Sequence, residues 1–448
     1  MNPARGESPA PDGLPLGRRG AAAACIAAGI TVTVLDAAML NIALPTAALD
    51  LGLTPAEVIW IVNAYQIVVV GTLIPMSSLG EVLGYRRVWA AGLALFCAAS
   101  VFNAFAPGFE ALLVGRMVQA VGSAAVMALT AGLVRHTYPS NQLGRAIGVN
   151  AMTVGLASAA GPTLGALVLA VADWPAVFLA HVPLGLAALL FGIRLVPRAG
   201  PQRRGFDLAA AGMNMAGFGL VFGGLDRMLH QPWLGVPLLL AGAASLAALV
   251  RHEMGRAVPL LPLDLLRIRV VRFAVSASVC MFSAHMVLVI AMPFHLSAAG
   301  FSPIEIGLIV TPYPLAVGLL GPLAGRWADR ANSPLSCVLG GLFLAASLLM
   351  LAVVPADSVP LVGLAMLLAG IGFAGFQSPN NRTMLSAAPR ARAGSAGGMQ
   401  ATARVLGQSL GAIVTAASFT LAGPPAAFLV GGAASLVAAG LSMARGRG

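Results

Sequence analysis

The chain has 448 residues, of which 58 % are hydrophobic and only 9 % charged, with a formal net charge of +11 and a mean hydropathy of +0.89. A soluble chain carries about a quarter charged residues, so a set of water-soluble domains is excluded. The positive charge is all arginine, gathered in short clusters between long apolar runs, which is the pattern of cytoplasmic loops rather than of a nucleic-acid surface.

Residues 1–19 are rich in Pro and Gly, carry Arg5, Arg18 and Arg19, and read as a cytoplasmic tail before a retained helix rather than a cleaved signal. Apolar stretches long enough to cross about 30 Å of hydrocarbon then follow one another. Spans are predicted at 20–44, 55–77, 88–106, 110–135, 143–169, 175–194, 207–225, 233–250, 270–296, 303–325, 335–354, 359–380, 395–420 and 425–443. The fold class is therefore all-α, a polytopic membrane protein of about fourteen helices. Residues 20–195 form a six-helix bundle and 269–443 a second. Between them, 196–268 holds basic loops around an inserted two-helix hairpin (about 205–250), and 444–448 is a cytoplasmic C-terminus. Nearly all arginines fall on the amino-terminal side, which puts both termini in the cytoplasm of a bacterial inner membrane. Cys25, Cys97, Cys280 and Cys337 lie in apolar runs with neither disulfide nor metal spacing.

The two bundles carry an internal repeat. "LPTAALDLGLTPAE" (44–57) aligns without gaps to "MPFHLSAAGFSPIE" (292–305), an offset of 292 − 44 = 248. Pro45 meets Pro293, and Thr54-Pro-Ala-Glu57 meets Ser302-Pro-Ile-Glu305, each a capping box with Pro in the first turn. At the same offset Glu81 meets Asp329, and "GRAIGVNA" (144–151) resembles "GSAGGMQA" (394–401) at an offset of 250. Such parallel repeats are a transporter architecture.

Asp36 is the one carboxylate of fifteen that the spans place deep in a membrane run. An acid there costs around 2.5–3.5 kcal/mol on insertion scales. One reading packs it against an interior Arg or Ser to associate helices. The favoured one makes it a protonation site facing a water-filled cavity. Arg116 and Arg404 are the buried counter-charges, with Arg116 the better placed to act on Asp36. His285 follows the repeat image of Asp36 (36 + 248 = 284) and is read as a titrating group or a cargo contact. Asn63, Tyr65, Gln66, Asn150, Tyr313, Gln377, Asn380 and Asn381 are further cavity candidates. In "GLASAAGPTLGA", Gly155, Gly161 and Gly165 permit close helix approach while Pro162 kinks the span. "GIGFAG" and "GQSLG" lie inside apolar helices and are neither a dinucleotide loop nor a nucleophile elbow. Without a Walker sequence or a zinc motif, no ATP, cofactor or metal is expected.

In this order the motifs resemble the fourteen-spanner drug/proton antiporters of the major facilitator superfamily, which include quaternary-ammonium and multidrug efflux pumps. "LDAAMLNIALP" looks like the family's first-span signature, with its acid at Asp36. "SSLGEVLGYRR" resembles the cytoplasmic loop motif, with Glu81, Gly84 and Arg86 in its positions. "GRMVQAVGSAA" is similar to the fourth-span motif with Arg116, and "GLASAAGPTLGA" to the exporters' fifth-span motif. The chain departs at Ser77, Glu81 and Trp174-Pro175, and at His181 where the family often has Asn, read as a helix-end difference.

The resemblance implies a secondary exporter working by alternating access. Asp36 would exchange a proton for a lipophilic, cationic compound, while Glu81, Arg86 and Arg135, with Asp329 and Arg330 in the second half, would gate the cytoplasmic side. Its partners would be a small-molecule substrate, protons and the bilayer, and the transport unit a monomer. Two alternatives stay open: a neutral or anionic cargo on the same fold, and, from another class, an intramembrane enzyme or sensor.

Overall fold

The computed structural model describes residues 13–139, 142–198, 206–254, 265–330, 333–387 and 393–446, and all regular structure among them is helical. The first bundle comprises α1 (Leu16–Asp50), α2 (Pro55–Val58), α3 (Trp60–Leu83), α4 (Tyr85–Ala104), α5 (Phe109–Thr137), α6 (Leu143–Val171), α7 (Ala176–Ala180) and α8 (Val182–Leu195). A hairpin of α9 (Leu208–His230) and α10 (Pro232–Met254) follows. The second bundle comprises α11 (Arg269–Ala298), α12 (Pro303–Val310), α13 (Pro312–Arg330), α14 (Ser333–Val353), α15 (Val359–Ala387), α16 (Ala393–Leu421) and α17 (Pro424–Gly446).

Among the described residues, thirteen segments are long and apolar enough to cross a membrane. Helix α16 has 29 residues, about 43 Å of rise, but Gln400, Thr402, Arg404, Gln408, Ser409 and Thr415 dilute its hydropathy. Three expected spans are broken helices. The sixth breaks at His181 and the tenth at Thr311, each just ahead of a proline (Pro183, Pro312) that lacks an N–H and crowds the carbonyl four residues back. The second steps at Ile59, where Val62 N–H reaches the Ile59 carbonyl in a tighter turn. The chain ends also differ from the expected tails. Helix α1 already includes 16–19, and Arg445 is buried in α17, donating to Asn380 Oδ1 at 2.6 Å and to Cys337 Sγ at 3.3 Å.

The repeat is visible atom by atom. Thr54 and Ser302 each accept from the backbone N–H three residues on, while Glu57 and Glu305 accept from the cap N–H at 2.8 Å. Just before them Gly52 and Gly300 (52 + 248 = 300) end α1 and α11 with φ of +63° and +89°, a left-handed turn that glycine adopts at no steric cost. Helices α4 and α5 cross through Gly92 and Gly122, and α14 and α15 cross through Gly340 and Gly372. A Cβ on Gly122 would sit 2.5 Å from the Gly92 carbonyl oxygen, and one on Gly340 would sit 2.5 Å from that of Gly372. The offsets are again 340 − 92 = 248 and 372 − 122 = 250.

The halves meet where α6 packs on α12 and α13, where α16 packs on α2 and α3, and where α1 packs on α11. Thr163 and Thr311 pair hydroxyl to hydroxyl at 3.1 Å across the first of these seams. The hairpin lies on α3, held by Asn214 Nδ2 donating to the Gly71 carbonyl at 2.7 Å.

Candidate functional site

Asp36 sits at the middle of α1, with α5 alongside it and the α7–α8 break against it. Its carboxylate is fully buried and joined to Arg116, Nη1 to Oδ2, at 2.7 Å. Gln119 is on the same face of α5, three residues after Arg116, and its Nε2 donates to Asp36 Oδ1 at 3.0 Å and to Ser100 Oγ at 2.7 Å. Its Oε1 accepts from Arg116 Nη1 at 2.5 Å and Asn103 Nδ2 at 2.9 Å. All four positions of the amide are used, and the opposite orientation would set its NH2 against two donors. Arg116 also donates from Nε to the Ile61 carbonyl at 3.3 Å, and its guanidinium lies over the Tyr65 ring at 4.1 Å and near Phe178 at 5.6 Å. A charge pair this deep is made tolerable by the Gln119 amide, the Ile61 carbonyl and the Tyr65 ring that share in holding it.

His181 completes the cluster. It does stand at a helix end, between α7 and α8, but it also reaches the acid. The proline-broken turn between α7 and α8 carries the ring inward, 2 % exposed, with Nε2 at 3.2 Å from Ser100 Oγ and 3.7 Å from Asp36 Oδ1. The expectation that Asp36 faces a water-filled cavity is corrected. Its carboxylate has no exposed surface, and the geometry is that of an acid packed against an interior arginine.

The space between the halves lies on another face of α1. About 320 Å³ free of protein atoms is lined by Asn41 of α1, Pro162 of α6, Met292 and Pro293 of α11, Tyr313 of α13 and Met366 of α15, among others. Asn41 Oδ1 is buried there with no hydrogen-bond partner. Beside it Tyr313 Oη and His285 Nδ1 pair at 2.5 Å, and the imidazole stacks on Phe373 with centroids 4.6 Å apart. Residue 284, the image of Asp36, is alanine. At the α5-to-α15 offset of 250, Arg116 and Gln119 map to Met366 and Ala369. The charge cluster therefore exists in one half only.

Other expected residues separate into groups. Tyr65 is the floor under Arg116; Asn63 is buried with both amide atoms unbonded; Gln66 is buried; Asn150, Gln377 and Asn381 are half-buried. Asn380 is not a cavity residue. Its Nδ2 donates to the Ala274 carbonyl and Ser278 Oγ while its Oδ1 accepts from Arg445, so its bonding is consumed inside the second bundle. Gly161 and Gly165 press on Ala38 and Met39 of α1, whereas Gly155 has open space around it. Gly84 joins α3 to α4 in one residue at φ +97°, with Glu81 and Arg86 half-buried on either side and Arg135 exposed at the end of α5. Asp329 and Arg330 end α13, and their side chains lie outside the described residues.

Long apolar helices in two repeated bundles, with an ion pair buried in one half, are the architecture of a polytopic membrane protein. The chain belongs to the major facilitator superfamily, whose family model matches residues 26–412. It is similar to the "Uncharacterized transporter YebQ" of Escherichia coli (strain K12), 42 % identical over 415 residues and covering 90 % of each chain. It is 30 % identical over 398 residues to the "Tetracenomycin C resistance and export protein" of Streptomyces glaucescens, covering 87 % of this chain and 74 % of that one. Among solved structures, a peptide transporter POT in complex with sulfate superposes with a TM-score of 0.71 at 17 % identity over 98 % of this chain and 97 % of that one, a likeness of fold.

Proposed function

We propose that the chain is a proton-coupled exporter of lipophilic, drug-sized compounds, an antiporter of the inner membrane with both termini cytoplasmic and a monomeric transport unit. The observation that carries this is the Asp36–Arg116 pair, 2.7 Å apart and buried to 0 % and 1 % exposure. In a low-dielectric interior a proton on Asp36 leaves Arg116 uncompensated. Protonation therefore drives α1 and α5 to rearrange. Helix α1 carries that rearrangement to its other face, where Asn41 lines the space between the halves. The relative named for resistance and export supports the outward direction, and the proton gradient, rather than ATP, is the energy source.

The cargo reading divides on charge. A cation bound by Asp36 must first displace Arg116. A neutral or anionic compound need not, and the aromatic cluster of His285, Tyr313 and Phe373 offers stacking surface without a carboxylate. The fully paired state of Asp36 favours this second cargo class over the first. Everted membrane vesicles energised with a proton gradient, and loaded in parallel with ethidium and with an anionic dye of similar size, decide between them. Gradient-dependent uptake of either compound that is lost in Asp36→Asn supports proton-coupled export, and uptake of both at wild-type rates in that variant refutes it.

A further inference from the structure

The hydrogen-bond directions around Ser100 fix more than the position of His181. Ser100 has one proton, and it goes to the Phe96 carbonyl at 2.8 Å. Its oxygen already accepts from Gln119 Nε2 at 2.7 Å. The assignment that satisfies all three contacts of Ser100 makes His181 Nε2 the donor in the 3.2 Å contact. That N–H lies between Ser100 Oγ and Asp36 Oδ1, the latter at 3.7 Å. Nδ1, the other ring nitrogen, is left as the site where a second proton adds, on the side of the Val177 carbonyl one turn back on α7.

The charged groups that face the ring are Asp36 from α1 and Arg116 from α5. From α4 come Ser100 and the Phe96 ring, whose centroid is 5.4 Å away, and neither of these titrates. No other ionisable side chain among the described residues acts on it. A proton on Nδ1 turns a neutral donor into an imidazolium less than 4 Å from a carboxylate whose present counter-ion is Arg116. An approach of about 1 Å closes Nε2–H···Oδ1 to hydrogen-bonding range.

We propose that His181 is a second proton-holding group of this site. When it is protonated at Nδ1, its Nε2–H closes on Asp36 Oδ1, the oxygen Gln119 now holds, so that the imidazolium shares the carboxylate's charge with Arg116 on Oδ2 and loosens that pair while Asp36 stays ionised. One proton is taken from water and no other bond is made or broken except the exchange of hydrogen-bond partners. The inference rests on the proton-coupled reading of Asp36, and it adds a state in which the imidazole, not the carboxylate, holds the proton.

The test needs no knowledge of the cargo. Purified protein in detergent is titrated between pH 5 and pH 8, and the bound protons are counted for wild type, His181→Gln and Asp36→Asn. Glutamine keeps an N–H donor for Ser100 but cannot take a proton. The expected result is that His181→Gln unfolds at the wild-type temperature and binds one proton fewer per chain across this range. It should also lose the corresponding limb of the pH profile of transport. Superimposable titration curves for wild type and His181→Gln overturn the proposal. If His181→Gln misfolds, 15N-histidine spectra of the intact wild type replace the count. A ring signal assigned to His181 that stays neutral down to pH 5 is equally fatal, and one that titrates supports it. Because Asp36→Asn is scored separately by transport, loss of the His181 proton with transport intact in Asp36→Asn would sink the exporter mechanism and leave this assignment standing.

Discussion

A change at Asp36 takes the carboxylate partner from Arg116, so its cost falls on the arginine. Removing one member of a buried pair costs about 3–5 kcal/mol, whereas replacing both with neutral groups of similar shape is far milder. Arg116→Ala should therefore lower thermal stability in detergent markedly, and Arg116→Gln combined with Asp36→Asn should recover most of it. A double variant as unstable as the single one would show that the pair is not the unit described. Two members of this cluster were legible in the sequence: Asp36 as a lone acid in an apolar run, and Arg116 as its buried counter-charge. Gln119, three residues after Arg116 on one helical face, reads as an ordinary polar residue until its partners are placed. Ser100, Asn103 and His181 come from α4 and the turn between α7 and α8, and only the packing of those helices brings them in. The signal available for His181 was a polar residue two places before Pro183 inside an apolar span, since a proline there opens the helix and frees a side chain to turn inward.

Helix crossings obey the same rule in both halves. Glycine at 92, 122, 340 and 372 lets backbone touch backbone, which is how helices associate in lipid when burial gives no hydrophobic driving force. Gly122→Ala would push a methyl against the Gly92 carbonyl and the Phe96 backbone, so a loss of about 1–3 kcal/mol is expected from overpacking. Gly155→Ala, with nothing within 4 Å, should be neutral or gain up to about 1 kcal/mol from helix propensity. Melting curves of the two variants check the contrast, and equal shifts would contradict it. The helix set and the capping boxes followed from hydropathy and the T-P-A-E and S-P-I-E spacing. The break at Ile59 did not, because a single tightened turn leaves the apolar period intact, whereas the break at Thr311 has its signal in Pro312.

At the scale of the whole molecule, the charge cluster lies inside one bundle and the free space lies between the two, with α1 shared by both. If transport requires the halves to separate at the seam of α6 with α12 and α13, a bridge there should stop it. Thr163→Cys with Thr311→Cys, in a background lacking the four native cysteines, places two thiols where hydroxyls now lie 3.1 Å apart. Oxidation should arrest efflux and a reductant should restore it; efflux that is indifferent to the bridge would place the moving seam elsewhere. Two repeated halves were readable from the 248-residue offset, but the sidedness of the site was not, because an alanine at 284 reads like any other apolar residue until its partner helix is known.

The central claim is that proton exchange at the cluster around Asp36 drives cargo through the space between the halves. Its most direct test is proton flux in liposomes containing the purified protein and a trapped pH indicator, with an imposed gradient and candidate compounds added one at a time. A compound that collapses the gradient with wild type but not with Asp36→Asn, at equal protein incorporation, is the predicted result. A compound carried at the same rate with and without the gradient, or a gradient collapsed equally by Asp36→Asn, would contradict it.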